Sequence, residues 1–289
     1  VSFGNPNFAN IILRDAYLAD VRLSFALTEA GDAPGSLSNA HFEGAVFEGV
    51  RIDGDRDSPL SIHGINLNSV RFTTRVQQVG AVQDMAQNVV SGLNFTNANV
   101  GGAVFSATGL VSTRWENSDF SSVGFTSSSQ ILGADFVTCN FEFSRLAMDR
   151  MIGTTFTDTS LVGTRFTGVE CQDCEFNNSN LGQVAFERVH GTWLFTGSTQ
   201  LAGAQFLRDG VCGNKLEGTS FRGLNLGGAD LTGICNLDQI DLQDADLEGA
   251  QVCRQNEGLL VDVQGTPILV DCEALPDCPG QWSVTCPID

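Results

Sequence analysis

The sequence holds a single lysine, Lys215, and its 15 basic residues face 34 acidic ones, for a formal net charge of −19. Nucleic acids and anionic membrane surfaces are bound through a basic footprint, so this shortage argues against both as direct partners. Cations, basic proteins and proteins that ordinarily hold DNA stay open. No run of 18 apolar residues exists, which removes a helical membrane span. The best candidates, Gly258–Val263 and Pro267–Val270, are short and bounded by Asp or Pro. Only three histidines occur, His41, His63 and His190. None belongs to a defensible nucleophile–base set, and no glycine loop is built to cradle phosphate, so an enzyme is not expected. One tyrosine stands against 20 phenylalanines, and apolar residues make up 42% of the chain, enough to bury a core. The chain opens on Val1 without a recognisable signal peptide. With its cysteine usage, this leads us to expect a processed N-terminus and an extracellular or periplasmic location.

Neither the 3.6-residue period of a helix nor the alternation of a long strand organises the apolar residues. A period of five does. From Ile131 the frame runs through Phe136, Phe141, Leu146, Met151, Phe156, Leu161, Phe166, Cys171, Phe176, Leu181 and Phe186. It resumes from Leu201 to Leu231, and only Gly191 and Thr196 break it. Earlier frames run Phe3–Leu23, Leu37–Ile52, Ile62–Phe72 and Val90–Phe125, and a last one runs Leu237–Val252. These frames contain 43 centres and hold 17 of the 20 phenylalanines. The residue two before each centre is usually small, as at Ala40, Ala98, Ala134, Ala204 and Ala250, while the other three carry most of the charge. Two inward and three outward residues in five fit a short extended side followed by a turn. Such sides must wind into coils, because one alone cannot bury its apolar face.

The motif A-(D/N)-(L/F)-x-x recurs at Ala229-Asp230-Leu231, Ala245-Asp246-Leu247 and Ala134-Asp135-Phe136. With it the chain resembles the pentapeptide-repeat family over residues 1–252. The resemblance implies an all-β fold, a right-handed quadrilateral β-helix with four pentapeptides per coil. That is about 11 coils, and roughly 50 Å of rod at the sheet spacing. Phe and Leu rings would stack over a lane of Ala, Ser, Thr and Cys. Inserts at 24–36, 53–60 and 73–89 interrupt the solenoid. In the last, Val76, Val79, Val82 and Met85 predict a short helix. Residues 253–289 leave the repeat and read as a Cys/Pro-rich cap.

Cys139, Cys171, Cys174 and Cys235 fall on inward positions and are expected to be buried and unbridged. Cys253, Cys272, Cys278 and Cys286 are expected to form two disulfides, with three possible connectivities. Zinc is disfavoured, because the tail has no C-x-x-C pair and Cys171-x-x-Cys174 has no partner pair. Asp53, Asp55 and Asp57 alternate like the start of a calcium loop. Ser58 and Gly64 stand where an EF-hand needs Gly and Glu, so only a looser calcium site is open, with a solvated turn as the plain alternative. No other cofactor is expected.

Phe3, Phe8 and Leu13 begin the repeat with no capping segment before them. An open coil end templates edge pairing, so the leading expectation is a non-catalytic structural or assembly protein whose rods join head to tail, as a filament subunit would. Two alternatives follow. The resemblance includes acidic DNA mimics that bind type II topoisomerases such as gyrase, with Asp230, Asp241, Asp244, Asp246 and Glu248 as the mimic surface. The inserts could instead make an extracellular protein-binding module.

Overall fold

The computed structural model describes the chain except residues 5, 20, 25–36, 49, 54–59, 74–87, 127, 209–212 and 273–289. The helix expected from Val76 to Met85 and the acids Asp55 and Asp57 lie outside the described residues, as do Cys278 and Cys286.

The chain winds as a four-walled solenoid in which every strand pairing is parallel. Wall A aligns Phe3, Leu23, Ile52, Val90, Leu110, Ile131, Met151, Cys171, Gly191 and Leu216. Wall B aligns Ile62, Phe95, Trp115, Phe136, Phe156, Phe176 and Phe195. Wall C is a ladder of single bridges with twelve rungs, from Ile12 through Asn66, Asp119, Ser160 and Gln200 to Gln264. Wall D aligns Leu18, Phe47, Phe72, Phe105, Phe125, Leu146, Phe166, Phe186 and Phe206. Eleven steps of about 4.8 Å along wall C give a rod of roughly 50 Å.

Two inward residues per side build the core. From Phe95 to Leu110 the buried residues are Phe95, Ala98, Val100, Ala103, Phe105, Thr108 and Leu110, with Gly101 and Gly109 beside them. The phenylalanines stack mainly along walls B and D, with a shorter stack, Phe120–Phe141 at 4.6 Å, on wall C. On wall D, Phe72, Phe105 and Phe125 stack with centroids 4.7 and 4.5 Å apart. On wall B, Phe136, Phe156 and Phe176 stack at 5.1 and 4.9 Å. Wall C rings meet wall B edge-on, as in Phe136–Phe141 at 4.9 Å. Beyond Phe3 the aligned centres of wall A carry no aromatic ring. Hydroxyls in the small-residue lane are satisfied by the backbone: the Ser144 hydroxyl donates to the Phe120 carbonyl at 2.7 Å and accepts from the Val123 N–H at 3.2 Å.

The recurring Asp or Asn before each centre has a local cause. On wall C its Oδ1 accepts the backbone N–H two residues on. This is seen for Asn66–Asn68, Asn99–Gly101, Asp119–Ser121, Asn140–Glu142, Asn180–Gly182, Asn225–Gly227 and Asp246–Glu248. The side chain closes the turn that starts the corner. The corner from C to D keeps a strict five-residue spacing from Leu13–Leu18 to Leu247–Val252.

The irregularities border wall A. The chain leaves the ladder after Ser24 and Asp53 on the A–B corner and after Thr73 and Leu207 on the D–A corner. Buried Asn88, Asn214 and Asn236 sit where wall A resumes. Their Oδ1 atoms accept the N–H of Val50, Val189 and Leu216, which the broken spacing would otherwise orphan.

The frame break at Gly191 and Thr196 is a register shift. Cys171 faces Gly191 but Cys174 faces Trp193, so the later coil is one residue shorter, and Phe195, not Thr196, is its centre. Gly191 has φ +95, and a Cβ there would lie 1.9 Å from the Cys171 carbonyl oxygen. No other residue fits that approach.

The hydrogen-bonded ladder continues past Val252. After a 3-10 turn at Arg254–Leu259, Gln264 bridges Asp246, and Ile268–Val270 pairs with Gln251–Cys253.

Candidate functional site

Several ionisable clusters among the described residues tie neighbouring coils together. Glu43 on wall C accepts from Arg14 Nε at 3.2 Å, His41 Nδ1 at 3.0 Å and Asn66 Nδ2 at 2.8 Å, tying the first three coils together. Burial pushes the Glu43 carboxyl up, but those hydrogen bonds outweigh it and hold it below the usual carboxylate range. Burial holds the His190 imidazole below its ordinary pKa. Asp53 lies 2.9 Å from Arg22 Nε and accepts from the Ser91 hydroxyl at 3.2 Å. It therefore ties three successive rungs of wall A together. Among the described residues no three His, Cys, Asp or Glu side chains are grouped to hold a metal ion.

The proposed mimic acids close turns. Asp230, Asp241 and Asp246 cap the N–H of Thr232, Gln243 and Glu248, and Glu248 accepts from the Thr266 N–H. Asp241 and Asp244 each lie 3.8 Å from Arg222.

The cysteines depart from expectation in two places. Cys171 and Cys174 are bonded to each other, Cα atoms 5.9 Å apart. A wall A centre and the following wall B lane position meet at one corner, within bridging reach, so no partner on another coil is needed. Cys235 is also disulfide-bonded. The one-residue slip between Leu231 and Leu237 moves it out of the lane, and Asn236 takes the buried position. Cys253 pairs with Cys272, one pairing among those open from sequence, and clips the last coil. Cys139 is free and buried, and burial pushes its thiol up to about 12.

The first coil is the least covered part of the core. Phe3 is 42% exposed on wall A, and Ile12 and Tyr17 are exposed on the outer faces of walls C and D. Phe8 and Leu13 are partly buried against the core, with Phe3 and Phe8 edge to face at 5.7 Å. Among the described residues, Ser2–Gly4 pairs on one side only, with Arg22–Ser24.

The three phenylalanines off the five-residue frame have different fates. Phe25 lies outside the described residues, and Phe195 enters the core through the register shift. Phe143 is 68% exposed on the C–D corner at φ +58, where equivalent positions hold residues such as Gly102, Ser122 and Gly203. Its ring lies against Gly163 of the next coil.

Parallel walls, five-residue sides and turn-closing Asx residues define the class as a quadrilateral β-solenoid. The family model for pentapeptide repeats matches in eight copies, with residues 150–183 matched. The chain is a pentapeptide-repeat protein. Among solved structures it is similar to HetL, a pentapeptide repeat protein involved in heterocyst differentiation regulation from the cyanobacterium Nostoc sp. strain PCC 7120. There the identity is 17% over 92% of this chain and 88% of that one, with a TM-score of 0.35. It is also similar to full-length QnrB1, a plasmid-mediated fluoroquinolone resistance protein, at 14% identity over 73% and 92% of the two chains and a TM-score of 0.29. A third similarity is to the A-module of the Azotobacter vinelandii mannuronan C-5 epimerase AlgE6, at 13% identity over 93% and 86% and a TM-score of 0.27. Similarities this distant carry no functional argument for this chain. No curated protein matches its sequence.

Proposed function

We propose that this protein is a non-catalytic, extracytoplasmic structural rod that associates end to end through its first coil. The observation that carries the reading is the first coil, where Phe3 is exposed on an outermost strand that pairs on one side only among the described residues. Pairing that edge with the far end of a second copy satisfies the open strand and buries the rings. The two ends differ, so the contact is heterologous and propagates. The Cys171–Cys174 and Cys253–Cys272 bridges support an oxidising compartment. No described helix is long and apolar enough to cross a membrane. Small-angle scattering across a concentration series tests the reading. The maximum dimension should grow in multiples of roughly 50 Å, and Phe3→Glu should remove the longer species. A maximum dimension fixed at one rod length in the wild type would refute it.

A second reading is favoured by the concentration of irregular corners around wall A. Repeat proteins place insertions along the face that meets a partner, so wall A and its borders would be that face if the rod is a binding module. Deleting residues 74–87 should then abolish capture of the partner and leave the rod's scattering profile intact.

A further inference from the structure

The exposed large apolar residues are not scattered along the rod. Among the described residues there are ten, and seven of them lie within residues 1–17 and 259–268. The first coil exposes Ile12 and Tyr17, and the coil that follows Val252 exposes Val261 and Ile268. Both ends of the rod therefore hold apolar surface in water, which marks them as contact surfaces.

Walls C and D show how the two ends meet. Each runs without a gap through twelve rungs, Ile12 to Gln264 on wall C and Tyr17 to Ile268 on wall D. On wall C each rung residue turns its N–H and C=O toward the coil before it. His41 donates to the Ile11 carbonyl at 2.8 Å and accepts from the Leu13 N–H at 2.8 Å. At the far end Gln264 donates to the Ala245 carbonyl at 2.7 Å and accepts from the Leu247 N–H at 2.8 Å. Ile12, on the first rung, has no earlier coil to bond. Val263 C=O and Gly265 N–H, on the last, hold the places that Ile11 C=O and Leu13 N–H hold in the first coil. Among the described residues, none of the four groups (Ile12 N–H and C=O, Val263 C=O, Gly265 N–H) has a hydrogen-bond partner. Each end thus offers one donor and one acceptor, in the spacing that the internal rungs already use.

We infer that two molecules join by continuing wall C. The Ile12 N–H of one donates to the Val263 carbonyl of the other, and the Ile12 carbonyl accepts from the Gly265 N–H. This rests on the end-to-end reading above, and it supplies the far surface and the register of that contact. Every strand pairing in the rod is parallel, so the joint is one more rung of the same kind. The same step sets Leu18 of one molecule over Leu269 of the other, both only partly buried in the single rod. It also brings Tyr17 beside Ile268 on the outer face of wall D, where they are 62% and 52% exposed. An aromatic next to a β-branched residue is a favourable cross-strand pair.

Ile12 and Gln264 stand eleven rungs apart in one rod, too far to interact within it, so any coupling between them is intermolecular. The test follows the mass of the full chain by sedimentation velocity over a concentration series. The wild type should associate. Ile12→Pro removes a donor that the single rod does not use, and it should weaken association about tenfold or more. A chain carrying Ile12→Glu and Gln264→Glu places like charges at the joint and should sediment as single rods. A chain carrying Ile12→Glu and Gln264→Lys should regain association. Equal association of the two double variants would overturn the inference, and so would undiminished association of Ile12→Pro. In either case a wild type that still associates would be joined in another register or by a closed head-to-head contact. A wild type that stays a single rod at every concentration would remove the end-to-end reading itself, and this joint with it.

Discussion

Single residues decide how each coil closes, and two of them lead to direct tests. Gly191 allows the Cys171 carbonyl to sit where any Cβ would be, at a φ that side chains avoid. Gly191→Ala should therefore cost at least about 3 kcal/mol, through both backbone strain and displacement of the Cys171–Cys174 corner. Urea denaturation would measure it, and a loss below about 1 kcal/mol would mean that the corner relaxes freely. Cys139 gives a pH signature. Its thiol is raised from 9.0 to about 12 by burial, so the folded state holds the proton over a range where the unfolded state releases it. Its contribution is complete below pH 9 and is lost as pH rises toward 12, at up to about 1.4 kcal/mol per pH unit. Comparing wild type with Cys139→Ala across pH 8–10.5 should show the wild type losing stability more steeply above pH 9. The inward role of Cys139 was legible from its place in the frame. The Cys171–Cys174 bond was not, because both fall on inward positions of the frame, where cysteine reads as a small buried hydrophobe, and the repeat does not show that a wall A centre and the next lane position meet at a corner. Phe143 carried a readable signal: it is a phenylalanine off the frame, in a slot that favours small residues.

At the scale of the element, the five-residue side was fully readable, since its centre, its small lane residue and its Asx cap each have a fixed position. Wall C shows why, with one cap after another accepting the N–H two residues on. The corners around wall A were less readable. There the insert lengths vary, and buried Asn88, Asn214 and Asn236 repair the backbone in positions that no repeat motif specifies. Sequence also stops the repeat at Val252, whereas the ladder runs on to Val270, held by backbone pairing and the Cys253–Cys272 bridge. That coil has few inward rings, so the bridge is its main support. Cys253→Ser should cost about 2–4 kcal/mol. In hydrogen exchange it should strip protection from amides 264–270 while leaving those between Phe95 and Phe186 unchanged. Equal protection in both proteins would show that pairing alone holds the coil.

For the whole molecule, the phenylalanine excess is explained by interior stacks and says nothing of ligands. Part of the acidic excess closes turns, at Asp119, Asp230, Asp241 and Asp246. What the core does not absorb is the apolar first coil, together with the exposed Phe143.

Electron microscopy of the wild-type protein at rising concentration measures end pairing most directly. Rods whose lengths fall at whole multiples of roughly 50 Å, reduced to single lengths by Phe3→Glu, are the predicted result. A single length at every concentration in the wild type would contradict it.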